Sequence, residues 1–238
     1  MQASAPSQRR AARRWAPGPR RGPSNPSPPR IPRPYARRAR QEEAGPLSTL
    51  RPVIEAPVDV LVLCTANVCR SPMAEAILRR RLEERGVPAR VHSAGRLRGG
   101  KPTTVDGFEA MQRLGYDIAA HRSTRVTPAM IEGADLVLGM ARDHVVHAVE
   151  LVPDALPRTF TLKELTRRGS TVGPRPPGEP LATWLARVHA TRGPTDLLRP
   201  APADDVPDPI GLPAARYRAV AAEIDEQLTR LVDLIWGS

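Results

Sequence analysis

From residue 58 onward, apolar and polar positions alternate between two spacings. Val58 to Leu63 is almost continuously apolar and rich in β-branched residues, and reads as a short strand covered on both faces. Met73 to Arg85 then changes to helical spacing, with Met73, Ile77, Leu78 and Leu82 on one face and Gly86 as the stop. The exchange repeats. Ala89 to Gly95 reads as a second strand, and Thr104 to Leu114 as a helix with Val105, Phe108, Met111 and Leu114 inward. Ala134 to Met140, Ala141 to Leu151 and Arg158 to Leu162 read as strand, helix and strand, and a last helix turns Val220, Ile224, Leu228, Leu231 and Ile235 inward. Such alternation predicts an α/β fold, a parallel sheet between two helical layers. Residues 163–203 interrupt it with Pro174, Pro176, Pro177 and Pro180, then place Leu181, Trp184, Leu185 and Val188 at helical spacing. This stretch reads as an insertion, either a lid or partner surface or simply a short packed helix.

Charge separates the chain into two parts. The total of +11 is concentrated in the first fifty residues, where eleven arginines face Glu42 and Glu43 and supply about +9. That stretch is also proline-rich and poor in apolar residues, so residues 1–52 read as a disordered Arg/Pro-rich arm and residues 53–238 as one folded domain. The arm suits contact with acidic surfaces or serves as a solvated tail, and no specific nucleic-acid partner is predicted. No run approaches the ~18 apolar residues of a membrane span. Cys64 and Cys69, the only cysteines, form neither a disulfide framework nor a zinc pattern, which fits a reducing cytoplasm.

The candidate chemistry lies between the first strand and the first helix. Cys64 ends the strand and faces a helix N-terminus, where unpaired amides and the helix dipole favour both a thiolate and a bound phosphate. Arg70 follows six residues later, and a loop curled around one tetrahedral anion returns its planar fork to the oxygens held by the amides of Thr65, Ala66, Asn67, Val68 and Cys69. Ser71-Pro72 reads as an N-cap followed by proline at the first helical position. The Ser71 hydroxyl is also placed to bond the sulfur, and Asn67 to fix the turn through a local side-chain to backbone bond. His144, His147 and Glu150 recur at three-residue spacing but read as a solvated helix face, so no metal is expected. His92 reads as structural.

Cys64, Arg70, Ser71 and Pro72 in the order Cys-x5-Arg-Ser-Pro, with Asn67 three residues after the first cysteine, resemble the low-molecular-weight protein tyrosine phosphatase family. Ser93-Ala94-Gly95, the stretch Tyr116 to Arg125 and the Asp208-Pro209 pair before the final helix extend the likeness. The resemblance implies four parallel strands in the order 2-1-3-4, with the phosphate loop after the first strand. It implies hydrolysis of protein phosphotyrosine through a cysteinyl-phosphate, without cofactor. Cys64 would be the nucleophile, Arg70 the anion ligand and Asp208 the proton donor to the leaving oxygen, while Ser93 supports the loop through Asn67 and His121 packs and hydrogen-bonds. Cys69 would give a protective disulfide with Cys64.

Three departures bear on substrate. Ala66 stands for the usual glycine, residues 96–101 lack an aromatic, and Ile210 replaces the aromatic that commonly follows Asp-Pro. A protein-arginine phosphatase of the same fold is the alternative, though it resembles sequences with threonine where this chain has Val68. An arsenate reductase resembles sequences with a third cysteine, which this chain lacks. A non-catalytic phosphate-binding module is the remaining reading.

Overall fold

The computed structural model describes residues 57–237, so the readings for residues 1–52 lie outside the described residues. Four strands, β1 (Val58–Cys64), β2 (Ala89–Gly95), β3 (Leu136–Gly139) and β4 (Thr159–Thr161), form one parallel sheet in the order β2-β1-β3-β4. The family order read from the sequence is therefore present. Seven helices surround it among the described residues: α1 (Arg70–Glu84), α2 (Val105–Arg113), α3 (Pro128–Glu132), α4 (Arg142–Leu151), α5 (Leu162–Val172), α6 (Leu181–His189) and α7 (Ala214–Trp236). None of the described helices is long and apolar enough to cross a membrane.

β1 explains its own apolar run, because both its faces are covered. Val60 and Val62 join the larger core with Met73, Ile77, Phe160, Ile224 and Leu228, whereas Leu61 and Leu63 face Ile131, Val137, Ala148 and Val152. Alternation along an extended strand sends neighbours to opposite layers. The strand is held at its centre, and Cys64 is carried to its carboxyl end.

Two helices differ from their sequence reading. Met111 is buried and Phe108 packs against the core as read, but Val105 is 73% exposed and Leu114 40% exposed, because α2 turns Gly107 and Ala110 inward beside Met111. A Cβ at Gly107 would lie 2.6 Å from Thr104 Oγ1 and 3.3 Å from Met73 Cε, so the missing side chain lets α2 approach α1 closely. The expected cap of α1 also shifts: the helix begins at Arg70, with Cys69 in the cap position and no side-chain cap bond. Ser71 is freed for another partner.

Residues 163–203 hold packed helices. Thr161 caps α5 by accepting from Glu164 N at 3.1 Å, Gly169 leaves room for the Trp184 ring, and Trp184, Leu185 and Val188 of α6 are buried. Glu164, fully buried, is neutralised by Arg168 and Arg192 at 3.1 and 2.9 Å.

The turn from β3 into α4 corrects the reading of His144. Far from lying on a solvated face, His144 is buried. Its Nδ1 accepts from Ala141 N at 2.9 Å, which places the ring proton on Nε2, and Nε2 reaches Thr65 Oγ1 at 3.1 Å. His147 is half-buried and Glu150 exposed, and no cluster of three or more metal-ligating side chains occurs among the described residues. The same turn receives other loops: Met140 N bonds Leu63 O, Val206 N bonds Met140 O, both at 2.8 Å, and Arg142 N bonds Asp205 Oδ1 at 2.7 Å.

Burial, reinforced by the charges of Arg70 and Arg96, pulls the His144 imidazole down to about 3. The unfolded chain binds this proton near pH 6.5 and the folded chain does not, so the stabilising contribution is present above 6.5 and is lost as pH falls toward 3. Melting temperature should therefore fall between pH 7 and pH 4 more steeply in the wild type than in His144→Gln. Parallel slopes would refute the burial of a neutral imidazole.

Candidate active site

Between the end of β1 and the start of α1 the chain folds around Asn67. This residue is buried and has φ +53°, a left-handed conformation that asparagine tolerates better than most side chains. Its backbone N donates to Cys64 Sγ at 3.2 Å. The side chain is used at both ends: Oδ1 accepts from Thr124 N at 2.8 Å, and Nδ2 donates to Ser71 Oγ at 2.9 Å and Ser93 Oγ at 2.8 Å. The expected local side-chain to backbone bond is thus replaced by bonds to Ser71 four residues on and to Ser93 and Thr124 far along the chain.

The direction of these bonds follows from donor inventory. An amide nitrogen only donates, so both serine hydroxyls accept from Asn67 and must spend their own protons elsewhere. Ser71 donates to Cys64 Sγ at 3.0 Å, and Ser93 donates to Glu75 Oε2 at 2.6 Å. The sulfur therefore receives two donors, which favour negative charge upon it. Glu75, also paired with Arg79, ends the chain of donors; the sequence reading gave it no such role.

Peptide planarity aims the rest of the loop. Thr65 O accepts from Arg96 N and Leu97 N, Asn67 O is bound by His121 Nε2 at 2.8 Å, and Val68 O accepts from Thr104 N. With these carbonyls turned outward, the following amides of Ala66, Val68 and Cys69 point to the opposite side, toward the loop interior. The N-terminus of α1 opens onto the same space, so amides and helix dipole converge on one anion-sized position. Close contact fixes the whole: a Cβ at Gly95 would stand 2.8 Å from both Asn67 N and Thr65 O.

Arg70 and Asp208 meet at the mouth, although 138 residues separate them. Arg70 is buried, and its Nη1 donates to Val206 O at 3.0 Å while Nη2 donates to Asp208 Oδ2 at 2.5 Å. Asp208 is 42% exposed, and its other oxygen accepts from Ile210 N at 3.2 Å. Its loop is rooted deeply: Asp204 is buried against Arg167 at 2.8 and 3.0 Å, and Thr161 Oγ1 donates to Asp204 O at 2.7 Å. Pro207 and Pro209 restrict the short span between that root and Asp208.

Cys69 sits in a different environment. Burial, with Cys64 nearby, pushes its thiol up to about 12, so it remains a protonated, inert group at neutral pH. Both cysteines are free thiols. Thr65, Ala66, Asn67, Val68, Cys69 and Ser71 are thus gathered in one loop with Cys64 and Arg70, with Ser93 behind it and Asp208 in front. The supports contributed by Thr124 and His144 had no readable signal, since each depends on a contact across the sheet's end. His92, bonded to Asp59 at 2.8 Å, has a structural partner away from the loop.

Comparison with known proteins places the chain in a family. Residues 59–171 match the family model described as low molecular weight phosphotyrosine protein phosphatase. A protein-arginine-phosphatase of Geobacillus stearothermophilus is 31% identical over 179 residues, covering 74% of this chain and 95% of that one. A probable low molecular weight protein-tyrosine-phosphatase of Ralstonia solanacearum is 41% identical over 81 residues, which cover 34% of this chain and about half, 54%, of that one. The crystal structure of a low molecular weight protein tyrosine phosphatase from T. tengcongensis superposes with a TM-score of 0.56 at 29% identity, covering 74% of this chain and 98% of that one. With its sheet order, its anion loop and these relatives in agreement, the chain belongs to the low molecular weight protein-tyrosine-phosphatase family, a family of cysteine-dependent phosphatases.

Proposed function

We propose that this protein hydrolyses phosphotyrosine in protein substrates through a covalent cysteinyl-phosphate. The observation that carries the proposal is the bond from Arg70 to Asp208, which brings an acid to the loop whose Cys64 sulfur already receives two hydrogen bonds. In the first step the Cys64 thiolate attacks phosphorus and the phosphorus–oxygen bond to tyrosine breaks, while Asp208 gives its proton to the departing phenolic oxygen. Arg70 and the amides of the loop hold the three equatorial oxygens. In the second step Asp208, now a carboxylate, takes a proton from water as that water attacks phosphorus, releasing phosphate and the thiolate. Ser71 assists both the stabilisation and the departure of the sulfur.

Phosphotyrosine is favoured over phosphoarginine by the surroundings of the loop. Leu97, Ile210 and Leu212 are exposed on backbone bonded to Thr65, Asp208 and Pro209, so apolar side chains stand next to the loop segments although the aromatics of the family pattern are missing. A phenyl ring gains from such walls, whereas a guanidino group does not. Val68 adds no donor or acceptor for a polar leaving group. The arginine reading retains one specific support, the relative of that name that aligns over most of its length. A reducing cytoplasm belongs to this proposal, because it preserves a reactive thiol.

Cys64→Ser should lose turnover of p-nitrophenyl phosphate and phosphotyrosine peptide altogether, and appreciable residual turnover would refute the nucleophile. Asp208→Asn should lower kcat by about 10²–10⁴-fold on the peptide. The loss should be smaller on p-nitrophenyl phosphate, whose leaving group needs less protonation. A higher kcat/KM on phosphoarginine than on phosphotyrosine peptide would keep the mechanism and change the substrate. Iodoacetate should inactivate the enzyme by labelling Cys64, with phosphate protecting, and peptide mapping should find Cys69 unlabelled at neutral pH. Preferential labelling of Cys69 would contradict its protonated, buried state.

A further inference from the structure

The segments flanking the loop carry charge that the chemistry above does not use. After β2 the chain turns outward with Arg96, Leu97 and Arg98, while the amides of Arg96 and Leu97 stay bonded to Thr65 O at 2.8 and 3.1 Å. Residues 99–101 then lie along residues 122–124: Gly100 N bonds Ser123 O at 2.6 Å, Ser123 N bonds Lys101 O at 2.8 Å, and Lys101 N bonds Ser123 Oγ at 2.9 Å. A Cβ at Gly99 would stand 2.4 Å from Ser123 O, so the two segments meet backbone to backbone. The second segment in turn holds Asn67 through His121 and Thr124, and Arg125 bridges to Gly95.

Both backbones are thereby fixed to the loop, and their long side chains are left outside. Arg96, Arg98, Lys101, Arg122 and Arg125 are all exposed. Among the described residues none of the five has a carboxylate within ion-pair distance, whereas Arg79, Arg81, Arg85 and Arg168 are paired with Glu75, Asp225, Asp233 and Glu164. Among the described residues Arg122 donates only to the carbonyls of Ala119 and His121, neither of which carries a compensating charge. On α4, partial burial holds His147 below its usual range, and the charges of Arg96 and Arg125 add to it while Glu150 opposes them.

We infer that this rim is a docking surface for acidic residues flanking the phosphorylated residue of a protein substrate. The inference rests on the phosphatase reading, and extends it from the reacting group to its neighbours. A polypeptide is the partner that fits because the rim is continuous with the anion loop, so what docks there is attached to the phosphate being cleaved. An extended peptide advances about 3.3–3.6 Å per residue, so carboxylates within roughly four positions of the phosphoresidue come over these side chains. Each exposed pair contributes little, but five cations facing one chain act together, and salt screens them over about 8–10 Å.

The test uses the full-length protein, p-nitrophenyl phosphate, and three phosphopeptides with acidic, uncharged or basic flanks, bearing the phosphoresidue that the preceding comparison selects. At low ionic strength kcat/KM should favour the acidic over the basic peptide by about tenfold, shrinking to about twofold at 0.5 M salt. In Arg98→Glu/Lys101→Glu the ratio of acidic-peptide to p-nitrophenyl phosphate kcat/KM should fall at least about fivefold; dividing by the small substrate removes any loss of folded enzyme. Wild-type enzyme that cleaves p-nitrophenyl phosphate yet treats the three peptides alike overturns the inference and leaves the phosphatase reading intact. No turnover of any substrate overturns both. An acidic preference that survives Arg98→Glu/Lys101→Glu assigns it elsewhere, the arginine-rich first 52 residues included, and overturns the rim. Stronger competition by an oligonucleotide than by the acidic peptide, abolished in that variant, would make the rim a nucleic-acid surface instead.

Discussion

A buried asparagine held in a left-handed turn is the constraint on which the site depends. Asn67 has no water to satisfy its amide, so each of its polar atoms must find a protein partner, and an unmade bond there would cost on the order of 1–3 kcal/mol. Those partners are the strand end at Ser93, the helix at Ser71 and the segment at Thr124. Satisfying one side chain therefore registers three pieces of chain against the loop. The same requirement decides which way the hydroxyl protons point, and one of them ends on Cys64.

A second registration comes from the turn between β3 and α4. It takes a bond from β1 through Met140, reaches the loop through His144 and Thr65, and accepts the base of the Asp208 loop through Met140 and Arg142. Residues 64 and 208 are consequently positioned by one rigid element as well as by the direct bond between Arg70 and Asp208. Asp204 anchors that acid loop to α5 through Arg167, so the helical stretch after β4 contributes to the geometry of the acid from behind.

Much of this was legible in the sequence where chemistry or burial is strictly local. β1 was readable because a strand covered on both faces leaves a continuous apolar run, and α7 because its inward stripe is long and regular. The loop was readable because a nucleophile, a fork-shaped cation and a helix start at fixed spacing have few other uses together. α2 was misread because Gly107 sets which face packs, and an absent side chain leaves no mark in a hydrophobic pattern. His144 was misplaced because its neighbours on the helix say nothing of Thr65, which approaches from the loop after β1. In residues 163–203 the helical spacing of Leu181, Trp184, Leu185 and Val188 was readable and α6 bears it out, whereas α5 was not, because the charge pairing of Glu164 that fixes it is tertiary.

Gly95 carries a consequence of another kind. The backbone at that point stands against the backbone of residues 65–67 with no room for a Cβ, while the next three residues, Arg96, Leu97 and Arg98, are exposed. Any substitution at 95 would deform the loop, but changes at 96, 98 or 101 leave its shape alone. Under the docking proposal, side chains that select a substrate can be exchanged there without moving the residues that hold phosphate. The boundary between tightly packed loop support and free surface falls at a single peptide bond, after residue 95.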